Sequence, residues 1–168
     1  MLYSVSPKQW AGVGLAVCLG ALAAALYLQI VLNWFPCPLC IVQRYAYLVA
    51  AIGFLGLLLV GPRSWLAKGL MGAVVLAVLG GLGTAAYHVW VLSNPMQTCG
   101  VDPLQTRLNE LPWVAYWPDM FVADGLCTAE YPPLLGLSLP MWSGIGFVLL
   151  GLVLYLARRN ARRLRRSW

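Results

Sequence analysis

Charged side chains are scarce in this chain of 168 residues. They make up 10% of it, against about 25% in a typical soluble domain, and only five of them are acidic. Apolar residues make up 61% of the chain. So little charge cannot cover a whole surface with hydrated groups. This excludes an ordinary soluble domain and leaves an integral membrane protein.

Segments of about ten residues in which apolar and polar side chains alternate, as a membrane β-barrel requires, are also absent. Four long apolar runs are present instead, and a hydrocarbon core about 30 Å thick needs about 20 such residues as helix. The runs cover residues 10–32, 41–60, 69–92 and 141–157. We therefore predict an all-α integral membrane protein with one domain over residues 1–168, built as a bundle of four transmembrane helices.

The first apolar run does not have the pattern of a cleaved signal peptide. Lys8 gives the chain a weakly basic start, but the apolar run from Trp10 is longer than the hydrophobic core of a signal peptide, which has about 7–15 residues. No clear site of small residues with a polar break follows it. We expect the run to be retained as the first span.

The net charge of +6 is concentrated in the tail. Six of the eleven basic residues follow the last apolar run directly: Arg158, Arg159, Arg162, Arg163, Arg165 and Arg166. A basic cluster beside a span is typical of the cytoplasmic face of a membrane protein, and it attracts anionic lipid. No nucleic-acid-binding motif accompanies it, so no nucleic-acid partner is predicted.

Charge also predicts the topology. Lys8, Arg63 and Lys68 flank span ends on the same side as the tail, whereas all five acidic residues lie between 93 and 140. The positive-inside rule then places both termini and the tail 158–168 in the cytoplasm. A short loop, 33–40, and a long loop, 93–140, lie on the opposite side.

The long loop carries its own pattern. Leu104, Leu108 and Leu111 recur at helical spacing until Pro112, and the aromatic cluster 113–117 follows. Aromatic side chains are enriched at the membrane–water interface, so we expect this loop to lie on the membrane surface. A disordered loop with a chance apolar patch is the alternative.

Four of the five cysteines fall on the loop side of the membrane. Cys18 lies in the middle of the first span, where a free thiol behaves as a small apolar group and is expected to be structural. Cys37 and Cys40 belong to the short loop, and Cys99 and Cys127 to the long one. If that side is oxidising, disulfides can persist there.

The motif Cys37-Pro-Leu-Cys40 allows several interpretations. Haem attachment needs a histidine at the position of Ile41. A four-cysteine zinc site is disfavoured because Cys99 and Cys127 lack a paired spacing, so no metal site is predicted. A purely structural disulfide closes too short a loop to gain much entropy. Thiol–disulfide exchange is the chemistry that such pairs favour.

The start of the second span distinguishes the two thiols. Cys40 lies at a helix N-terminus, where free N–H groups and the helix dipole favour a thiolate. Arg44 lies four residues later and shares its helix face. An arginine just inside an apolar span is costly and usually has a specific partner, here a thiolate and an electron-accepting ligand. A side chain that only reaches out to the interface is the alternative.

Several short motifs occur together with these four spans. They are Cys37-Pro-Leu-Cys40 with Gln43-Arg44, Tyr87-His88-Val89-Trp90, Cys99-Gly100, Gly125-Leu-Cys127, and Gly136-Leu-Ser-Leu-Pro140 with Trp142. In this combination, over nearly the whole chain, the sequence resembles the DsbB family of disulfide-generating membrane oxidoreductases.

The resemblance implies a protein-dithiol:quinone oxidoreductase. Such an enzyme reoxidises a DsbA-like periplasmic protein of the thioredoxin fold and passes the electrons to a membrane quinone, either ubiquinone or menaquinone. It also implies residence in the bacterial inner membrane, with loops 33–40 and 93–140 in the periplasm.

The resemblance further implies a role for each loop cysteine. Cys99 and Cys127 form the disulfide offered to the partner, whose thiolate attacks Cys99. Exchange between Cys127 and Cys37 connects the long loop to the short one. Cys40 is released as the thiolate that contacts the quinone.

Three more residues are expected at the quinone site by the same resemblance. Arg44 stabilises negative charge there, Gln43 helps to place the ring, and His88 lines the pocket. His88 at the end of a span is equally typical of an interfacial anchor. The chain departs from the family pattern around this histidine, at Tyr87 and Leu92.

Two alternative functions are compatible with part of this pattern. Bacterial vitamin K epoxide reductase homologues also combine four helices, a CxxC pair and a quinone, but their pair comes late in the bundle instead of after the first span. A non-enzymatic membrane protein with two structural disulfides is the second alternative, and it requires an inert Cys37–Cys40 pair.

Overall fold

The predicted all-α membrane fold is confirmed. The computed structural model describes residues 6–60, 64–94, 103–129 and 131–166, with side chains described to residue 160. The helices are α1 (Pro7–Leu32), α2 (Pro38–Leu59), α3 (Trp65–Ser93), α4 (Pro103–Asn109), α5 (Pro118–Phe121) and α6 (Leu139–Arg166). α1, α2, α3 and α6 are long and apolar enough to cross a membrane. Within the described ranges, β-pairing is limited to an isolated bridge between Leu134 and Leu137.

Local sequence sets the helix ends around the short connection between α1 and α2. Ser6 and Gln9 form a reciprocal capping box at the start of α1. Asn33 ends that helix in the left-handed conformation at φ 54°, which asparagine tolerates better than most residues. Cys37 is the N-cap of α2, and Pro38 occupies its first position. The connection 33–37 is therefore held between two defined helix ends. We call residues 33–40, which comprise this connection and the first residues of α2, the hinge.

The four long helices pack in a ring in which α1 contacts α2 and α6, and α3 contacts α2 and α6. Small residues allow aromatic rings to enter the helix interfaces. The Phe54 ring of α2 occupies the space beside Gly14 of α1, and the Phe147 ring of α6 occupies the space beside Gly81 of α3. Both rings are buried. These contacts hold the bundle around the elements that carry the cysteines.

The outward faces of the bundle are apolar. Leu59, Leu76 and Ile52 are 77%, 72% and 66% exposed, although leucine and isoleucine are normally among the buried residues. In lipid, such a surface needs no further cover. This exposure agrees with the composition and with the four spans.

α6 extends beyond the apolar run that predicts it. The run ends at residue 157, but the helix continues through Arg158 and Arg159 to Arg166. No glycine or proline follows Gly151 in this helix to stop it. Cations near a helix C-terminus also interact favourably with the helix dipole. The basic tail predicted from residue 158 therefore begins as helix.

The glycines of α3 provide a test of the packing. A methyl group at Gly81 would collide with the Phe147 ring, whereas one at Gly83 would meet no neighbour. We expect Gly81→Ala to lower the stability of the bundle by about 1–3 kcal/mol, the range for overpacked cores. Gly83→Ala is the matched control, and it should be neutral or slightly stabilising. Melting temperatures of the purified variants in detergent give the comparison. Equal melting temperatures would contradict this packing.

Candidate functional site

The two hinge cysteines lie in contact as a dithiol. Both are free, and the Cys37 Sγ donates a hydrogen bond to the Cys40 Sγ at 3.3 Å. The geometry follows from their places in α2, since an N-cap residue and the residue three positions later face each other across the first turn. Cys37 is buried and Cys40 is partly exposed. The two thiols therefore differ in surroundings, as the sequence predicts.

The contact between the thiols determines which one keeps its proton. The hydrogen bond to Cys40 raises the pKa of Cys37 above its ordinary value, and burial raises it further. Cys37 therefore remains a neutral thiol at physiological pH. Cys40 accepts the hydrogen bond between the two thiols. Its sulfur is therefore the one that is ready to act as a thiolate.

His88 of α3 lies against both sulfur atoms. Its Nε2 is 3.6 Å from the Cys37 Sγ, and its Nδ1 is 4.0 Å from the Cys40 Sγ. The side chain is buried at 5% exposure. The imidazole thus presents its nitrogen-bearing edge to the dithiol.

Cys127 is brought to the hinge by the long loop. The backbone N–H groups of Asp124 and Gly125 both donate to the Pro36 carbonyl, at 3.2 and 3.0 Å. A side chain at position 125 would collide with the Phe35 carbonyl, so only glycine allows this approach. Cys127 is disulfide-bonded and packs in one buried cluster with Cys37. The predicted partner Cys99 lies outside the described residues.

A second contact ties the loop to the hinge. The Tyr131 hydroxyl donates to the Phe35 carbonyl at 3.0 Å, and the Tyr131 ring stacks on Trp34 with centroids 4.9 Å apart. Two consecutive hinge carbonyls, of Phe35 and Pro36, are thus hydrogen-bonded to the long loop. Sequence analysis gave no role to Tyr131.

Polar side chains of α4 hold the segment that precedes Cys127. The Asn109 side chain bonds both the N–H and the carbonyl of Ala123, each at 2.9 Å, and Gln105 donates to the same carbonyl. Leu108 packs with Ala123 and with Ile41 of α2. Sequence analysis missed Gln105 and Asn109. Their spacing of four residues on one helix face was the available clue.

Arg44 is buried and hydrogen-bonded to backbone. Its guanidinium donates to the carbonyls of Asp119 at 3.0 Å, Met120 at 3.3 Å and Ala25 at 3.4 Å. Among the described residues, all its hydrogen bonds go to these neutral acceptors, and the Asp124 carboxylate interacts with its charge without a direct hydrogen bond. Arg44 thus joins α2 to α1 and to α5, a structural task that the sequence did not predict.

A cavity of about 360 Å³ lies beside Cys40, among α1, α2, α6 and the hinge. We call it the larger cavity. Its lining is mainly apolar, and it includes Cys40, Gln43 and Arg44 from α2 and Ser143 from α6. The buried Nε2 of Gln43 and Oγ of Ser143 have no hydrogen-bond partner in the described chain. An apolar cavity with a few unpaired polar groups has the properties of a small-molecule site.

A smaller cavity of about 250 Å³ also borders the dithiol, and it shares Cys40 and several other lining residues with the larger cavity. It is lined by Cys37, Cys40 and His88, with Ser138 at its wall. Cys40 borders both cavities, whereas His88 borders only the smaller one. His88 is one of the predicted cofactor-binding residues together with Arg44 and Gln43, but it lines the smaller cavity, whereas Arg44 and Gln43 line the larger one.

Comparison with known proteins agrees with this geometry. The model of the family "Disulfide bond formation protein DsbB" matches residues 7–157. The chain belongs to the DsbB family. It is 43% identical over 148 residues to disulfide bond formation protein B 1 of Pseudomonas putida, covering 88% of this chain and 87% of that protein.

Other relatives have the same description. Disulfide bond formation protein B 1 of Pseudomonas syringae is 46% identical over 134 residues, which cover 79% of this chain and 78% of the relative. Disulfide bond formation protein B of Herminiimonas arsenicoxydans is 44% identical over 133 residues, covering 79% and 83%. Membership of the DsbB family assigns this multi-pass membrane protein to disulfide bond formation, as an oxidoreductase.

The first prediction from this site concerns Gly125. In a variant that keeps only Cys37 and Cys127 among the four loop-side cysteines, oxidation should join these two thiols. We expect Gly125→Ala to slow this cross-link at least severalfold, because the new methyl group blocks the approach to the Phe35 carbonyl. Non-reducing electrophoresis over time measures the rate. Thr128→Ala, one residue beyond Cys127, is the control and should leave the rate unchanged.

A second prediction concerns the proton on Cys37. Alkylation requires the thiolate, so Cys37 of the reduced protein should react slowly at neutral pH. The alkylation rate of Cys37 should still increase with pH above the usual range of thiol pKa values. The Cys40→Ala variant lacks the hydrogen bond that is the largest cause of the raised pKa of Cys37. The midpoint of the pH profile for Cys37 alkylation should therefore move to lower pH. Mass spectrometry of the peptide that contains Cys37 follows both profiles. Identical midpoints would exclude the hydrogen bond as the cause.

Proposed function

We propose that this DsbB-family protein reoxidises a DsbA-like periplasmic dithiol protein and passes the electrons to a membrane quinone. The observation that carries the proposal is the position of the hinge dithiol between two different surroundings. Cys37 is buried in one cluster with Cys127 of the long loop, whereas Cys40, at the edge of that cluster, also lines the larger cavity, which Cys37 does not. Such a pair is suited to receive electrons from one side and release them on the other.

The exchange steps balance at every stage. A partner thiolate attacks Cys99 of a Cys99–Cys127 disulfide, which forms a mixed disulfide and releases the Cys127 thiolate. That thiolate attacks Cys37 of an oxidised hinge, which releases the Cys40 thiolate. The second partner thiol then resolves the mixed disulfide and releases the Cys99 thiolate. This thiolate attacks Cys127 of the Cys37–Cys127 disulfide, which restores the Cys99–Cys127 disulfide and releases Cys37. Two electrons and two protons have moved from the partner to this chain, and they must leave it as the Cys37–Cys40 disulfide re-forms.

Free thiols at Cys18, Cys37 and Cys40, together with a disulfide at Cys127, support the proposed pairing of Cys127 with Cys99. Cys18 is fully buried within α1 and takes no part in the scheme. The burial of Cys37 and Cys127 in one cluster supports Cys37 as the thiol that exchanges with the loop.

The larger cavity fits a quinone. Its apolar walls suit the ring, and the unpaired Gln43 Nε2 is a donor for a quinone carbonyl. Arg44 contributes positive charge, and Cys40 supplies the reacting sulfur. When bound, a quinone is the two-electron, two-proton acceptor, and the protein supplies position and electrostatics.

Arg44 has two tasks in this proposal. Its charge, which no hydrogen-bonded carboxylate neutralises among the described residues, favours an anionic sulfur at Cys40. Its bonds to the carbonyls of Asp119 and Met120 hold α5 against the bundle. Loss of Arg44 would therefore disturb both the acceptor site and the loop.

The charge pattern supports the proposed orientation in a bacterial inner membrane. Basic residues flank α1, α3 and α6 on one side, and the acidic residues occupy the long loop on the other. Under the positive-inside rule the termini are cytoplasmic, and the hinge and the long loop are periplasmic. The periplasm is the compartment in which a DsbA-like partner resides.

Trapping tests the partner step. A DsbA-like protein that lacks its resolving cysteine should accumulate as a mixed disulfide with this chain, visible on a non-reducing gel. Cys99→Ala should abolish the adduct and reduce partner oxidation to background. Cys18→Ala removes a thiol that is buried in the core, and it should preserve both. Normal partner oxidation by Cys99→Ala would refute the proposed route.

The two unpaired polar groups test the acceptor site. Replacing a buried polar group that has no partner is expected to leave stability unchanged or improved. If Gln43 and Ser143 contact the quinone instead, Gln43→Leu and Ser143→Ala should each raise the KM for quinone about tenfold, or ~1.4 kcal/mol. Quinone reduction measured at fixed partner concentration, with melting in detergent, separates these effects.

The matched control is Thr84→Ala in α3. The Thr84 hydroxyl is already bonded to the carbonyls of Gly80 and Gly81 and lies outside the larger cavity. Its loss should leave the KM for quinone unchanged. If Gln43→Leu and Ser143→Ala behave like this control, the larger cavity is not the quinone site.

A further inference from the structure

The reduced hinge places three metal-ligating side chains together. The sulfur atoms of Cys37 and Cys40 and a ring nitrogen of His88 all lie within 4.8 Å of one another. None of the exchange steps requires the histidine to be so close to both sulfurs. The cluster therefore has a chemical capacity beyond electron transfer.

We propose that Cys37, Cys40 and His88 of the reduced protein form a binding site for a thiophilic d10 cation such as Zn²⁺ or Cd²⁺. Two thiolates and one imidazole match the ligand preference of these metals. In the reaction, two thiols lose their protons, and the hydrated cation exchanges bound water molecules for two sulfur bonds and one nitrogen bond. No electrons are transferred, and the two protons go to solvent.

The distances suit such a complex after small movements. Zinc with bonds of about 2.3 Å to sulfur and about 2.0–2.1 Å to nitrogen sets tetrahedral edges of about 3.8 Å between sulfurs and about 3.6 Å from sulfur to nitrogen. The observed separations are 3.3 Å between the sulfurs and 3.6 Å from Cys37 to the nearer nitrogen. Side-chain rotations of the thiols are enough to close the difference.

The orientation of His88 favours coordination in either tautomer. Nε2 faces Cys37 and Nδ1 faces Cys40, so whichever nitrogen lacks a proton points its lone pair toward a sulfur. The fourth position faces the smaller cavity, which has room for a water molecule. The buried Ser138 Oγ in the wall of that cavity has no partner among the described groups, and it can bond such a water.

The net charge of the metal complex and the accessibility of the smaller cavity also favour cation binding at this site. Two thiolates neutralise a divalent cation, and a neutral complex is less costly in an apolar site than a bare thiolate. The smaller cavity reaches the surface at Leu126, which is 61% exposed, so a hydrated ion can approach from the loop side. The complex requires both thiols, and hence the oxidised hinge cannot form it.

Cation binding at this site inhibits the enzyme. A bound cation holds Cys37 and Cys40 as thiolates and prevents their disulfide from re-forming. The inhibition rests on the proposed electron transfer from Cys40, whereas the binding itself does not. Thiophilic metals should therefore inhibit the reduced enzyme, and a chelator should restore it.

Cobalt binding tests the site directly. The full-length protein with Cys99→Ala and Cys127→Ala is purified in detergent, reduced, freed of reductant and titrated with Co²⁺ without oxygen. We expect one Co²⁺ per chain and a thiolate-to-cobalt absorption band, with competition by Zn²⁺. Prior oxidation of the hinge, or Cys40→Ala, should abolish the band.

His88 variants give the decisive comparison. His88→Gln, which retains size but not the ligand, should weaken binding at least about tenfold, since even outer-shell changes cost about 10–100-fold. His88→Cys restores a ligand and should restore binding. Tyr87→Phe, at the preceding and exposed position, is the control. Equal affinities in His88→Gln and Tyr87→Phe, or no thiolate band at all, would refute the site.

A second measurement avoids any change in the histidine. In the otherwise native reduced protein, Zn²⁺ should protect both hinge thiols from alkylation at least about tenfold, and a chelator should reverse this. Unprotected thiols at saturating Zn²⁺ would overturn the proposal. Neither assay contains quinone or partner, so failure of metal binding would leave the proposed electron route standing.

Discussion

The hydrogen bonds from Asp124 and Gly125 to the Pro36 carbonyl are the contact on which the working arrangement depends. They join the two connections that carry the redox cysteines, although Cys37 and Cys127 are 90 residues apart in sequence. The contact is possible only because position 125 lacks a side chain and because Pro36 leaves its carbonyl outside any helix. Tyr131 adds a similar bond to the neighbouring carbonyl of Phe35. Backbone atoms therefore set the geometry, and sulfur chemistry follows from it.

A second constraint is the buried charge of Arg44. Burying a guanidinium is unfavourable unless its donors are satisfied, and three carbonyls from α1 and α5 provide this. These bonds couple the loop to the bundle at the same place where Cys40 meets the larger cavity. Loop position and acceptor site are therefore not independent. A change at one of them is expected to reach the other through this side chain.

The first turn of α2 gives the two cysteines different chemistry. Cys37 is the N-cap and donates to Cys40, so it retains a proton, while Cys40 borders both cavities. His88 contacts both sulfurs from α3. The same compact arrangement that suits electron transfer also gathers metal ligands. Close packing of a dithiol and an imidazole therefore brings sensitivity to thiophilic cations with it.

The sequence by itself determined the membrane class, the four helices and the unequal positions of Cys37 and Cys40. These follow from hydropathy, capping residues and short-range spacing, which act within a few residues. It did not determine that Arg44 binds carbonyls of α1 and α5, that Asn109 holds Ala123, or that His88 lines a different cavity from Gln43. Such hydrogen bonds join residues 14 to 76 positions apart. Only the tertiary structure decides them, because they depend on how helices and loop pack together and no local pattern encodes them.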